Sequence, residues 1–179
     1  MFKLLSLSFV ITGLLFFYFP HSKEKFCVEK ESSSSVTLND LKQQPVFPRQ
    51  MGLLNDTENI FTAAQKQELD KILLNYDKNT DNKILIVSAR SFKAYDDYQT
   101  FAAAVADKWR IDFNNKGRVI LITFSKANRK IALTKAKGVA LSDEECQKVI
   151  SEKAIPELKK NNYYNGIKNA VLELTNKWK

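Results

Sequence analysis

Two short, continuous, β-branched runs limit what this chain can fold into more than any other feature: Lys83-Ile-Leu-Ile-Val-Ser88 and Val119-Ile-Leu-Ile-Thr-Phe124. Runs of this length, without polar alternation, predict strands buried on both faces. Between them Tyr98, Phe101, Ala102, Val105 and Trp109 recur at i, i+3, i+4, i+7 and i+11, the spacing of an amphipathic helix with one buried face. Strand, helix and strand in that order read as a right-handed βαβ crossover in a parallel sheet.

The neighbouring segments extend this unit. Thr62-Ala-Ala-Gln65 has the form of a capping box, and Leu69, Ile72, Leu73 and Tyr76 follow at helical spacing. After a polar turn at Ser125 to Arg129, Lys130-Ile-Ala-Leu-Thr134 alternates weakly and predicts an antiparallel edge strand, guarded by Lys130 and Lys135. Ser142-Asp-Glu-Glu145 is a second capping box, opening a helix that buries Cys146, Val149 and Ile150 and is expected to end before Pro156. A last helix carries Ile167, Ala170, Val171, Leu174 and Trp178. The expected fold is α/β: a three-layer α/β/α sandwich, with a small mixed sheet flanked by about four amphipathic helices.

The folded part is expected over 48–179, near the usual domain size. Ahead of it, residues 1–21 read as a signal or membrane anchor. Leu4 to Phe19 is almost wholly apolar, and at ~1.5 Å per residue it spans about 24 Å, short of the ~30 Å hydrocarbon core. Tyr18, Phe19 and Pro20 stand where a signal peptidase wants small residues, which favours an uncleaved anchor over secretion after cleavage. Residues 22–47, rich in Lys, Glu, Gln and Ser, read as a flexible polar tether. The expected location is a membrane-anchored domain outside the cytoplasm, in the periplasm or cell envelope.

Composition removes several chemistries. The five glycines, at 13, 52, 117, 138 and 166, form no G-x-G-x-x-G and no Walker loop. The single histidine, His21, lies at the edge of the apolar run, so triads and His-based zinc sites have no raw material in the folded part. Cys27 and Cys146 do not make a disulfide framework. A net charge of +8 attracts anions in general. Lys126, Arg129, Lys130, Lys135 and Lys137 have only Phe124 nearby for stacking, so they read as a solvated edge and no nucleic-acid partner is expected. Asp143, Glu144 and Glu145 read as helix-start residues.

The order of landmarks resembles the TPM domain family, named after thylakoid-lumen, photosystem and animal receptor-accessory members. Leu54-Asn55-Asp56, shortly before Phe61-Thr62-Ala63-Ala64-Gln65, is similar to the family's V-N-D motif and first helix. Lys108-Trp109-Arg110-Ile111-Asp112 stands for its W-x-I/L-G segment, and Asn115-Lys116-Gly117-Arg118-Val119-Ile120-Leu121 for its D-N-G-V-L-L-L strand entry. Leu141-Ser142-Asp143 looks like L-T-D, and Ile155-Pro156 followed by Tyr164-Asn165-Gly166 looks like its I-P and Y-x-x-G end. The resemblance implies a membrane-tethered domain facing the periplasm, lumen or exterior. Roles among members include maintenance of protein complexes, divalent-cation binding and, in some plant members, acid phosphatase activity. Two departures stand out: Asn115 replaces the aspartate of D-N-G, and Thr134-Lys-Ala-Lys-Gly-Val139 replaces a G-Y-G-L-E-G loop.

The candidate metal ligands are Asp56, Asp96, Asp97 and Asn115. In an open α/β sheet, ligands bind outside the carboxyl ends of the strands, and Asp96 and Asp97 follow the strand ending at Ser88. Calcium or magnesium is the expected ion, held weakly, because Asn115 removes a negative charge and Lys135 and Lys137 add positive ones. Each acid also has a structural reading: Asp96 and Asp97 in the first turn of a helix, Asp56 in an Asx turn. The expected function is a non-catalytic module that binds other proteins. The alternative is a weak metal-dependent acid phosphatase, although no nucleophile and base pair up in the sequence. The expected partners are other proteins, with the membrane engaged through the N-terminal segment.

Overall fold

A computed structural model describes residues 47–179, so the anchor over 1–21 and all of the tether except Phe47 lie outside the described residues. Phe47 itself packs with the domain: its ring lies 6.5 Å from Phe101 and 6.2 Å from Tyr95. The Trp109 indole N–H donates to the Pro48 carbonyl at 3.0 Å, fixing the entry of the chain.

The elements are β1 (Leu54–Asp56), α1 (Ala63–Thr80), β2 (Lys83–Ser88), α2 (Tyr98–Lys108), β3 (Val119–Ser125), β4 (Lys130–Lys135), α3 (Asp143–Lys148), α4 (Ile155–Lys159) and α5 (Tyr163–Lys177). The sheet order is β1-β2-β3-β4. β1 and β3 both run parallel to β2, with Leu54 opposite Ile86 and Lys83 opposite Val119. β4 runs antiparallel to β3, with Ser125 opposite Lys130. The crossover through α2 and the antiparallel edge strand are as the sequence predicts. β1 is an addition: Leu54–Asp56, where the sequence offered only an Asx turn at Asp56, pairs with β2.

Side-chain alternation on the central strands divides the core. Ile84, Ile86, Ile120, Ile122 and Phe124 face a cluster with Leu69, Leu73, Val149, Ile167, Val171 and Leu174, contributed by α1, α5 and the α3–α4 region. Leu85, Val87, Val119 and Leu121 face the opposite way, against Phe101, Ala102, Val105 and Trp109 of α2 and its C-cap. This is the three-layer α/β/α arrangement. Both capping boxes form: Thr62 with Gln65, and Ser142 with Glu145.

The helix opened by Ser142 does not end before Pro156. It passes through a π-helical segment, Val149–Ala154, and continues as α4. The Ile155 N–H bonds to the Ile150 carbonyl, an i to i−5 bond, so the turn just ahead of Pro156 is widened. A wider turn relieves the clash between the pyrrolidine ring and the preceding turn, and it absorbs the missing N–H.

At the amino ends of the strands, Asn115, Lys116 and Gly117 have φ of 49°, 55° and 70°, consecutive left-handed residues that reverse the chain into β3. The Gly138 N–H donates to the Gly117 carbonyl at 3.0 Å. A Cβ on Gly138 would stand 2.8 Å from that same oxygen, so the two segments meet only because the side chain is absent.

Candidate functional site

β1 and β2 run parallel with Asp56 opposite Ser88, which brings both side chains to the carboxyl-end rim of the sheet. The Asp56 carboxylate is all but sealed, at 1% side-chain exposure. One oxygen accepts from the Ile60 N–H at 3.0 Å and the Ser88 hydroxyl at 2.9 Å. The other accepts from the Phe61 N–H at 3.0 Å and pairs with Lys66 Nζ at 3.1 Å. Burial alone would raise its pKa, but the Ile60 and Phe61 amides, with Lys66 and Ser88, hold it below the usual carboxylate value.

The rest of the rim is closed in the same way. Ser88 Oγ accepts from the Glu58 N–H at 3.0 Å, and the Glu58 carboxylate accepts from the Lys126 and Ala127 amides at 3.1 and 3.2 Å. Glu58 thus ties the β1–α1 loop to the β3–β4 turn. Asn128 completes the connection by donating to the Arg90 carbonyl at 2.6 Å and to Ser125 Oγ at 2.9 Å. Glu58 and Ser88 escaped the sequence reading, since a lone acid in a loop and a strand-terminal serine carry no motif.

Asp97 is the N-cap of α2. Its carboxylate accepts from the Thr100 N–H at 2.9 Å and the Thr100 hydroxyl at 2.7 Å, and these bonds lower its pKa. Asp96, one residue earlier, is exposed. Asn115 lies at the other end of the sheet: it precedes β3, and its Nδ2 donates to the Asp81 carbonyl ahead of β2 at 2.6 Å. The length of β2, about 20 Å at ~3.3 Å per residue, separates it from Asp56. The structure therefore places Asp56, Asp96 and Asp97 on the carboxyl-end side of the sheet and leaves Asn115 away from them. Among the described residues, no three His, Cys, Asp or Glu side chains group closely enough to hold a metal ion.

A further concavity among the described residues lies elsewhere, along β4. A groove of about 610 Å³ has Ile131 to Lys135 along one wall and Cys146, Ile150 and Ser151 of α3 and the π-helical segment along the other. Lys135 closes one end: its Nζ donates to the Leu141 carbonyl at 2.9 Å and pairs with Asp143 at 3.1 Å. Cys146 is a free, buried thiol whose pKa is raised by burial. The Thr134 hydroxyl is buried with no hydrogen-bond partner among the described residues. On the α2 side of the same strand a smaller cavity of about 140 Å³ contains Arg110, whose guanidinium sits 5.1 Å from the centre of the exposed Phe113 ring.

Residues 54–177 match the family model of the TPM domain. The chain belongs to the TPM domain family. No match was found among curated proteins. Among solved structures, this TPM domain is similar to the N-terminal domain of a protein from P. gingivalis, with a TM-score of 0.61 and 19% identity over 69% of this chain and 80% of that one. It is also similar to the N-terminal domain of the cg2496 protein from Corynebacterium glutamicum, with a TM-score of 0.58 and 12% identity over 76% and 89%. The BA42 protein from the psychrophilic bacterium Bizionia argentinensis gives a TM-score of 0.54 and 18% identity over 68% and 86%. At these identities the likeness is one of fold.

The TPM-like motifs fall on structurally distinct positions. Asp56 forms the rim, Asn115 the reversal into β3, and Leu141-Ser142-Asp143 the start of α3. The Thr134 to Val139 segment, which departs from the family's glycine-rich loop, starts within β4 and carries Lys135 to the end of the groove.

Proposed function

We propose that this TPM domain is a non-catalytic module that binds other proteins through the groove beside β4, carried by its N-terminal segment at a membrane and outside the cytoplasm. The observation that carries this reading is the groove itself: about 610 Å³ between an edge strand and a π-helical segment, with Ile131 and Leu133 facing Cys146, Ile150 and Ile155. Pi-helical turns are costly and recur at functional positions. The rim carboxylates point the same way, because Asp56, Glu58 and Asp97 are each committed to N–H or hydroxyl donors of the fold. A divalent cation at Asp56 would compete with four donors already in place, so any calcium or magnesium is held weakly. The apolar run Leu4 to Phe19 and the polar stretch after it support the tethered location.

The test is site-specific photo-crosslinking of the full chain in its native cells. A crosslinker at the exposed Gln147, on the groove, is expected to give a discrete protein adduct that Ser151→Trp abolishes, while a crosslinker at the exposed Lys78 on α1 gives none. No adduct from Gln147, or one that survives Ser151→Trp, overturns the groove as the binding surface.

A further inference from the structure

The hydrogen-bond pattern of β4 narrows what this groove accepts, provided the protein-binding reading holds. The Ala136 N–H donates to the Val119 carbonyl at 2.9 Å, which makes these two a bonded antiparallel pair. In an antiparallel ladder bonded and non-bonded pairs alternate, and the register sets Ile120, Ile122 and Phe124 opposite Lys135, Leu133 and Ile131. The pairs containing Ile131, Leu133 and Lys135 are therefore the non-bonded ones. Their backbone N–H and C=O groups point away from β3, onto the open edge. Three donors and three acceptors thus lie along about 14 Å of strand, and the same strand forms one wall of the groove.

The opposite edge of the sheet is β1, only Leu54–Asp56, and the chain just before it is tied down by Asn55, which bonds the Met51 and Gly52 amides. β4 is the edge long enough to receive a strand. Its charge selects among possible strands. Arg129 and Lys130 are exposed at its start and Lys137 just beyond its end. Among the described residues Asp143 is the one acid lining the groove, and Lys135 already pairs with it at 3.1 Å. A second copy of this chain paired edge to edge about Leu133 would set Arg129 opposite Lys137, so the cationic flanks reject self-pairing.

We propose that β4 receives an extended peptide of a partner protein as a fifth strand, apolar in the middle and acidic at both ends. The central residues on one side of that strand lie beside Ile131 and Leu133, against Cys146 and Ile150 of the wall. The acidic ends meet Arg129 and Lys130 at one end and Lys137 at the other. Backbone pairing supplies affinity, and the charges select the partner.

The test uses the full-length chain and a capped synthetic peptide of about seven residues, with valine and threonine in the centre and glutamates at each end. Fluorescence anisotropy reads affinity, and backbone amide shifts of labelled protein read location. Saturable binding with shifts at Ile131, Leu133 and Lys135 is expected. Affinity should fall at least about tenfold when alternate peptide amides are N-methylated, and similarly when glutamate is replaced by lysine. Leu133→Pro removes an outward N–H from an edge strand, a position where proline is tolerated, and should abolish binding. If that variant unfolds, the N-methylated peptide asks the same question from the ligand side. The Lys130→Glu, Lys137→Glu double variant should prefer the lysine-ended peptide. Groove binding that is indifferent to N-methylation overturns strand addition while leaving the groove as a protein-binding surface. Indifference to peptide charge overturns the acidic partner. No binding of the probe, alongside an intact Gln147 adduct, overturns this inference alone, and loss of both overturns the binding role as well.

Discussion

Replacing Asp56 by alanine separates a structural carboxylate from a metal ligand, and its magnitude follows from the contacts. The substitution withdraws one acceptor group from the Ile60 and Phe61 amides, the Ser88 hydroxyl and Lys66. Hydrogen bonds to a charged group contribute about 1.5–3 kcal/mol each, and bonds within one network do not add independently. Lys66 keeps 33% exposure and turns to water, so its share is discounted to about 0.5–1 kcal/mol. The two amides at the entry of α1 are less able to find new partners. The net loss expected is about 3–5 kcal/mol, a large part of a domain's usual stability of about 5–15 kcal/mol. Urea denaturation of the full chain, followed by tryptophan fluorescence, measures it, with Asp56→Asn expected to lose less because one oxygen remains. The pH dependence gives a second reading. Folding lowers the pKa of Asp56, so the unfolded state takes up its proton more readily. Its contribution is complete above the unfolded carboxylate value near ~3.9 and is lost as pH falls through the lower folded value. The stability gap between wild type and Asp56→Asn should therefore be constant near neutrality and close only below about pH 4. A loss under about 0.5 kcal/mol in Asp56→Ala, combined with a calcium-dependent rise in wild-type stability that the variant lacks, would refute the structural role.

Three further outcomes follow from other parts of the fold. Gly138→Ala should cost about 1–3 kcal/mol by chemical denaturation, because the new Cβ would lie 2.8 Å from the Gly117 carbonyl and 2.9 Å from that of Lys116, both backbone atoms. Calcium or magnesium should produce no saturable amide shifts at Asp56 below about millimolar ion, since extracellular calcium modules already sit near 10⁻⁴–10⁻³ M and this carboxylate has its donors in place; tighter binding that is lost in Asp97→Asn would revive the rim as a metal site. Generic phosphate esters should be hydrolysed far below the ordinary enzyme scale of about 1 per second, and turnover near that scale that vanishes in Asp56→Ala would establish the phosphatase alternative instead.

The local signals in the chain carried most of the fold. Strands buried on both faces must be uniformly apolar, so Ile84 to Val87 and Val119 to Phe124 announce themselves without reference to anything distant. Helices that bury one face must repeat every 3.6 residues, and the capping boxes at Thr62 and Ser142 complete their bonds within three residues. These features are decided by neighbours in sequence, which is why they are legible there. β1 was not, because three residues containing Asn55 and Asp56 have the chemistry of a turn, and only the edge of β2 makes them a strand. The continuation through Pro156 was hidden for a related reason: a proline reads as a helix stop until packing of α4 and α5 holds a π turn open ahead of it.

The site was divided in the same way. The sequence by itself determined which chemistries have raw material: carboxylates, lysines and the Cys146 thiol, with a single histidine and no phosphate-binding glycine loop. Which of those groups meet was a tertiary decision. Strand direction sends Asp56 to one rim and Asn115 to the other, although the sequence offered both as ligands for one cation. The lysines of β4 read as edge protection in the sequence; Lys130 is exposed, while Lys135 turns to the Leu141 carbonyl and Asp143. That the same edge borders a groove walled by a π-helical segment depends on how α3 is carried back over β4, a relation between residues far apart in the chain and therefore visible only once the chain has folded.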